Sequence, residues 1–559
     1  MALRHLIELR GRRIIAPVLC LLVSACSGGT DAPDTQVATD GEYSTFSGGP
    51  PGGVLVALLD GEPDDLNPLT YSSYPANQAI HLMFRSLARR DSTLSGYQPD
   101  LATSWEMRDD SVLVLTLRED VNWHDGVPVT ADDVAFTIDR QRDPVVASPR
   151  QADVAAVEEV TVVDSTTVEV QMRRTGAYAV NALLEVIPVP KHLLQDAEPA
   201  DIRLAPFGQN PVGNGFYRFG RWERGQQLVL DVNSEVPEGR AALDRIILRV
   251  VPDINAALTE LLAGQGDLLR VPSEHSDRVR ASGATELYVA PRVRPAWIAW
   301  NTDSPPLDDQ SVRQALLMGI DREAIARGLF GEVGEVAPSP IPPTLWEHSE
   351  DVEPIAYDPA GARALLEQAG WHDTDADGVR ERDGRPLRIE VDFISADPVR
   401  RDVLVAIQSM LSEIGVDLVP RAYERTAWVE RLRSREFQGS SWGWGWGPGV
   451  VGPNAETVFH SRSIPPAGAN FAGASNPRAD ALIDEILATS DTIRLRQLWR
   501  EFEQLAIDDA VYAPLYLDPE LFGLHSRFEN VRFRGIEWWE DVPYWYVPLD
   551  RRLPRDRTQ

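Results

Sequence analysis

Three tryptophans alternate with glycine in Ser440-Ser441-Trp442-Gly443-Trp444-Gly445-Trp446-Gly447. In an extended strand residues two apart share a face, so the three indoles would form one flat apolar surface. Indoles stack on rings and apolar groups, and the intervening glycines let a ligand or another backbone come close. The competing reading is that these rings fill core, because large aromatics are highly buried on average. Tyr71 and Tyr74, in a Tyr-Ser-Ser-Tyr loop, and Trp297 and Asn301, closing a strand, are further candidate ligand contacts. Ordinary packing is the alternative for each. A second chemistry is written in Asp373-Thr374-Asp375-Ala376-Asp377-Gly378-Val379-Arg380-Glu381. Acids at Asp373, Asp375, Asp377 and Glu381, with the Val379 position between, match the first half of a calcium loop. The closing bidentate Glu is missing, since Gly384 stands there, so the alternative is an Asx-rich turn and any calcium would be a structural clip.

Recognisable catalytic and nucleotide signatures are absent. There is no phosphate-binding G-x-x-x-x-G-K-[ST] and no H-E-x-x-H; the one G-x-S-x-G match, Gly439–Gly443, lies inside the Trp-Gly run and not between a strand and a helix, and the nine His are scattered. Gly213-Asn214-Gly215 is followed by Phe216-Tyr217, bulk where a dinucleotide phosphate would approach. An enzyme reading therefore has no positive support.

The elements that must position these residues alternate between strand and helix. Ser111–Arg118 keeps Leu113, Leu115 and Leu117 on one face, and Thr167–Met172 alternates likewise. Thr130 before Ala131-Asp132-Asp133 caps a helix. Asp358-Pro359 leads a stripe of Ala362, Leu365, Leu366 and Ala369 into Gly370; Val403, Ile407, Leu411 and Ile414 close on Gly415. With strands at 387–393 and 416–420 between helices, α/β lobes are expected.

At 559 residues, 43% hydrophobic and 25% charged, the chain has material for several domains and a large core. A net charge of −31 disfavours nucleic acid and anionic lipid surfaces as partners. The only cysteines are Cys20 and Cys26, so no disulfide framework or thiolate metal site is possible beyond them. Arg4, Arg10, Arg12 and Arg13 precede an apolar run from Ile14 to Val23 that fits a secretory signal. Val23-Ser24-Ala25-Cys26 resembles a bacterial lipobox, which would make Cys26 the lipidated N-terminus of an exported protein. An ordinary signal peptide is the alternative. Residues 26–51, poor in apolar side chains, read as a flexible tether reaching roughly 25–30 Å.

The order of motifs along the rest of the chain carries a resemblance. Gly53-Val54-Leu55-Val56-Ala57, Pro63-Asp64-Asp65-Leu66-Asn67-Pro68, Pro99-Asp100-Leu101-Ala102-Thr103-Ser104-Trp105-Glu106, Leu117–Gly126 and Asn210–Tyr217 come first. Val312-Arg313-Gln314-Ala315-Leu316, Ile320-Asp321-Arg322, Ala369-Gly370-Trp371 and Phe471–Pro477 follow. This resembles the family 5 extracellular solute-binding proteins, the oligopeptide- and dipeptide-binding lipoproteins of bacterial ABC importers. The resemblance implies an α/β two-lobed clamshell of the periplasmic-binding-protein kind (type II) with an extra third lobe. It places a signal peptide at 1–25, lobe I at 52–70, 200–295 and 520–559, extra lobe II at 71–199, and lobe III at 296–519.

It also implies a monomeric peptide receptor without catalytic activity on the periplasmic face of the envelope. The membrane would be touched through the lipid anchor only, and the partner would be an inner-membrane permease with its ATPase subunits. The family puts ligand contacts near the Trp-Gly segment. Peptide-binding relatives commonly place an Asp just after it, against the peptide's amino group, whereas here that place is near Gly447 and no acid follows until Glu456. Either another acid serves or the ligand lacks a free amine. An oligosaccharide or a nickel chelate is therefore an alternative within the family, and a secreted lipoprotein enzyme is the alternative of another class.

Overall fold

The structure is a computed structural model that describes residues 49–91, 94, 96–445, 455–533 and 537–557. The signal segment, Cys26, most of the tether and Trp446 lie outside the described residues. The chain folds as mixed α/β around three larger sheets. The first has seven strands in the order Thr285–Val289, Leu521–His525, Leu268–Arg270, Val54–Leu59, Arg245–Val250, Gln227–Val232 and Tyr217–Glu223. Its centre is Val54–Leu59, paired in parallel on both sides and buried along its whole length. An unbroken apolar run suits a strand covered on both faces. Leu55, Ala57 and Leu59 enter one core, while Val54, Val56 and Leu58 enter another with Leu258 and Leu261 of the helix Ile254–Leu262.

The second sheet is antiparallel: Ala102–Arg108, Val112–Leu117, Thr167–Met172, Val157–Val162. The helix Ala131–Arg142 covers it, and the Thr130 backbone N–H donates to the Asp133 carboxylate at 2.9 Å. Leu113, Leu115 and Val134 belong to the same apolar cluster as Leu55 and Ala57, so the extra sheet shares the core of the first.

The third sheet runs Asp417–Tyr423, Arg388–Ile394, Gly439–Gly443, Pro295–Trp300, Tyr512–Leu517. Period two divides the Pro295–Trp300 strand between two cores. Ala296, Ile298 and Trp300 pack with helices Gln310–Met318, Pro359–Gln368 and Pro398–Ser412; Trp297 and Ala299 pack with Pro477–Ala488 and Thr492–Asp509.

Two stretches join the first sheet to the third, between Val289 and Pro295 and between Leu517 and Leu521. They are bonded to each other: Asp518 N–H donates to Arg294 C=O at 2.9 Å, and Ala290 N–H to Glu520 C=O at 2.9 Å. The extra sheet's region also touches the third. Ala177 N–H donates to Thr489 C=O at 3.0 Å, and a Cβ on Gly176 would come within 2.1 Å of the Leu487 carbonyl oxygen. Next to this contact the Trp499 indole N–H donates to Tyr178 Oη at 2.7 Å, and Tyr178 donates to Glu347 Oε1 at 3.1 Å.

Burial pushes the Glu347 carboxyl up to about 7. The folded state thus holds a proton that the unfolded chain, titrating near the ordinary ~4.3, has already released. The stability from this group is fully present below about pH 4 and is lost as the pH rises to 7, a change on the order of 3 kcal/mol. We expect Glu347→Gln, which keeps an acceptor but cannot ionise, to lose less stability between pH 5 and 7.5 than the parent. Urea midpoints at the two pH values measure it; equal losses would contradict the assignment.

Candidate functional site

The strand Gly439–Gly443 sits between Arg388–Ile394 and Pro295–Trp300, which places Trp442 opposite Trp297. Trp442 is 9% exposed and meets Trp297, Trp428, Phe471 and Tyr512 edge-on at 6.1–6.3 Å. Trp297 has no exposed surface and leans on Tyr512 at 4.8 Å. Both rings are therefore aromatic core behind the strand. Trp444 lies on the same side, as period two requires, but is only half-buried, and its indole N–H has no hydrogen-bond partner. Between them Gly443 is exposed. A Cβ there would stand 3.2 Å from Pro295 O, 3.2 Å from Arg400 Nη2 and 3.3 Å from Asp518 Oδ2, too tight for an undisturbed neighbour.

Asp518 thus supplies an acid beside the Trp-Gly segment, from the stretch just after the strand Tyr512–Leu517, 75 positions downstream of Gly443 in sequence. It is already engaged: Arg400 Nη2 donates to Asp518 Oδ2 at 3.2 Å and Arg400 Nη1 to Tyr516 Oη at 2.9 Å. Asn301 is engaged too. Its Nδ2 donates to the Arg435 and Phe437 carbonyls at 2.9 and 2.8 Å, and its Oδ1 accepts from Asp303 N–H and Arg435 Nη2. That set of bonds locks a turn and leaves no atom for a solute.

The two tyrosines separate. Tyr71 is buried, donates to Asn77 Oδ1 at 2.7 Å, and has the Arg150 guanidinium 3.4 Å above its ring. Burial pushes its hydroxyl up to about 12. Tyr74 opens the helix Tyr74–Met83, whose Ser73 cap accepts from Ala76 N–H at 3.3 Å. Its hydroxyl donates to Glu537 Oε2 at 2.6 Å, and its ring lies 5.7 Å from that of Trp539.

Tyr74 also lines a cavity of about 400 Å³ with Asp60, Gln78, Arg270, Pro519 and Trp538. The cavity lies at the carboxyl ends of the parallel strands Val54–Leu59 and Leu268–Arg270, where open α/β sheets characteristically take ligands. Its floor is mostly aliphatic, from Leu58, Leu59, Leu268 and Leu269. Beside it Arg270 Nε stands 2.9 Å from Glu520 Oε1. Burial opposes the Arg270 charge, but Glu520, Tyr74, Glu537 and Asp60 together more than offset this and hold the guanidinium ionised. Glu537 is pushed up to about 8, by burial first and then by the charge of Glu520. Glu540 is pushed up to about 7 by its deep setting and by Asp541. Glu540 is nonetheless exposed to solvent.

Arg270, Glu520 and Glu537 were not found from the sequence. Their one local signal is Asp518-Pro519-Glu520 abutting the apolar run of Leu521–Leu524; their pairing is long-range.

In the remaining candidate, Asp373, Asp375, Asp377 and Glu381 each bring a carboxylate oxygen within 4.8 Å of the others. The loop is shaped by Gly378 N–H donating to Asp373 Oδ2 at 3.1 Å and Thr374 N–H to Glu381 Oε2 at 2.9 Å. It is far in function from the cavity wall: it shapes the surface turn after the helix Pro359–Gln368.

The different settings of the two described tryptophans give a prediction. Trp442→Ala should lower folding stability by about 3–5 kcal/mol, as for a buried aromatic. Trp444→Ala should lower it by much less and instead weaken solute binding. Melting temperature and affinity on both variants decide; a large stability loss at Trp444 with unchanged affinity would assign it to packing.

A sequence profile of the bacterial extracellular solute-binding proteins, family 5 Middle, matches residues 96–465. The oligopeptide-binding protein AppA of Bacillus subtilis is 28% identical over 95% of this chain and 97% of its own. The structure of that protein in complex with a nonapeptide superposes with a TM-score of 0.72 at 26% identity, covering 89% of this chain and all of the other. NikZ from Campylobacter jejuni in complex with Ni(L-His) gives 0.74 at 25% identity over the same share. From the ordered strands and cavity through to these likenesses, the chain belongs to the bacterial extracellular solute-binding proteins of family 5.

Proposed function

We propose that this protein is the receptor of an ABC importer, held to the envelope by a lipid on Cys26, that captures peptides and delivers them to the membrane permease. The observation that carries this reading is the cavity beside the two bonded crossing strands. Tyr74 and Arg270 stand on its first-sheet side, and Gly443 and Trp444 stand across the crossings on the third. Contacts to both sides would favour a closed arrangement, because a solute shifts a two-state equilibrium by its differential affinity for the states. AppA, which binds oligopeptides, supports peptide as the solute. A nickel chelate is the second reading, supported by the likeness to NikZ with Ni(L-His).

Mass spectrometry of whatever co-purifies with the protein tests the reading. A mixture of short peptides is expected; a glycan or a bound nickel complex would replace the peptide reading, and turnover of a substrate abolished by one point mutation would replace the receptor reading. Cys26→Ser should release the exported protein from the membrane fraction, whereas unchanged retention would mean that Cys26 is not the anchor.

The Asp373 loop is proposed as a calcium clip, supported by its four convergent carboxylates. Millimolar calcium should raise the melting temperature of the parent and leave Asp375→Asn unmoved. A parent indifferent to calcium would reduce the loop to a turn.

A further inference from the structure

Two glutamates beside the cavity are left incompletely bonded, which is unusual for carboxylates so deep in a protein. Glu520 is 9% exposed, and its buried Oε1 accepts no hydrogen bond although Arg270 Nε is 2.9 Å away. Glu537 is 6% exposed and accepts one hydrogen bond, on Oε2, from Tyr74. A buried carboxylate without its full set of donors carries a penalty of kcal/mol size, so such a group persists where something else supplies the missing donors.

The two carboxylates also act on each other. The charge of Glu520 raises Glu537, Glu540 adds to this, and Arg294 opposes it. Arg270 can neutralise one of the pair, and Tyr74 offers a hydroxyl but no charge. One carboxyl, Glu537, is thus left beside the cavity without a guanidinium of its own, and it keeps its proton near neutrality until a cation arrives. Asp60 lines the cavity as a further acid, and Arg294, exposed on the crossing stretch, is the opposing charge. Asp518, by contrast, is ion-paired to Arg400 on the third-sheet side and is not available in this way.

We propose that Glu537, held by Tyr74, together with Glu520, held by Arg270, receives a cationic nitrogen of the captured solute. This rests on the reading of the chain as a solute receptor. An ammonium or guanidinium would donate to the open oxygens of both carboxylates, and its charge would relieve their repulsion. Charge-assisted hydrogen bonds of this kind are the stronger ones, more so away from water. The mostly aliphatic cavity next to them would take the apolar part of the same solute.

The test uses the purified mature protein and two probes, a degenerate pentapeptide library with free N-termini and the same library N-acetylated, with retained peptides read by mass spectrometry. Strong retention of the free library over the acetylated one, irrespective of composition, supports the proposal with an α-ammonium as the cation. Retention of both, but restricted in the acetylated library to peptides with Lys or Arg, supports it with a side-chain cation. Glu537→Gln and Glu520→Gln should each reduce this preference at least tenfold while melting within a few degrees of the parent. Should a variant fail to fold, the library comparison on the parent still decides. Retention of both libraries without regard to any cationic group overturns the proposal and leaves the peptide receptor standing. Retention of neither overturns the peptide reading itself, and this one with it.

Discussion

Two backbone hydrogen bonds, Asp518 N–H to Arg294 C=O and Ala290 N–H to Glu520 C=O, tie together the only described stretches that pass between the seven-stranded and the five-stranded sheets. The proposed receptor function is built around that pair. Glu520, one of the four residues in these bonds, lies between Pro519 and Leu521 of the cavity lining. A rotation of one sheet relative to the other would be absorbed where these two stretches run side by side, so a solute touching both sides would act on the crossing directly.

The first sheet is tied together by a buried ionic knot. Arg527 lies between Asp267 and Asp556, at 2.9 and 2.6 Å, and all three are cut off from water. The knot also closes the backbone of the first strand: Arg527 Nη2 donates to Val54 C=O at 2.6 Å, Val54 N–H to Asp556 Oδ1 at 2.8 Å and Val56 N–H to Asp267 Oδ2 at 2.9 Å. Strands from the start, middle and end of the chain are thereby fixed in one sheet. Removing Arg527 would leave the buried Asp556 carboxyl without its cation, the expensive way to break such a set. The third sheet takes its rigidity from aromatic packing instead, through Trp297, Trp442 and Tyr512.

Local pattern carried much of the fold. The apolar run of Val54–Leu59 is the central strand, the alternation at Val112–Leu117 and Thr167–Met172 forms neighbouring strands of the extra sheet, and Asp358-Pro359 caps a helix that ends at Gln368. The site was legible only where it is local. Trp442 and Trp444 do share a side, but pairing with Trp297 turned Trp442 into core, and that pairing spans the distance from 297 to 442. Asn301 read as a ligand contact because it follows a strand; its bonds to Arg435 and Phe437 come from a turn far along the chain. The cavity wall was out of reach for the same reason: Tyr74 and Glu537 are separated by 463 positions, and no spacing rule links them. Side-chain chemistry at a crossing between sheets is a property of topology.

The central claim is that a solute bound at the crossing draws the two sheets together. Because the chain beyond Cys26 contains no cysteine, paired labels can be placed at Asp277→Cys, on the first-sheet side, and Glu323→Cys, on the third, both of them exposed positions. Single-molecule energy transfer between these labels, in the protein stripped of solute and then given back what co-purified with it, reads the motion directly. The account predicts that the transfer distribution shifts on binding to a second, discrete population, in proportion to the fraction bound. Saturating binding with an unmoved distribution would contradict it, and the crossing strands would then be a brace and not a hinge.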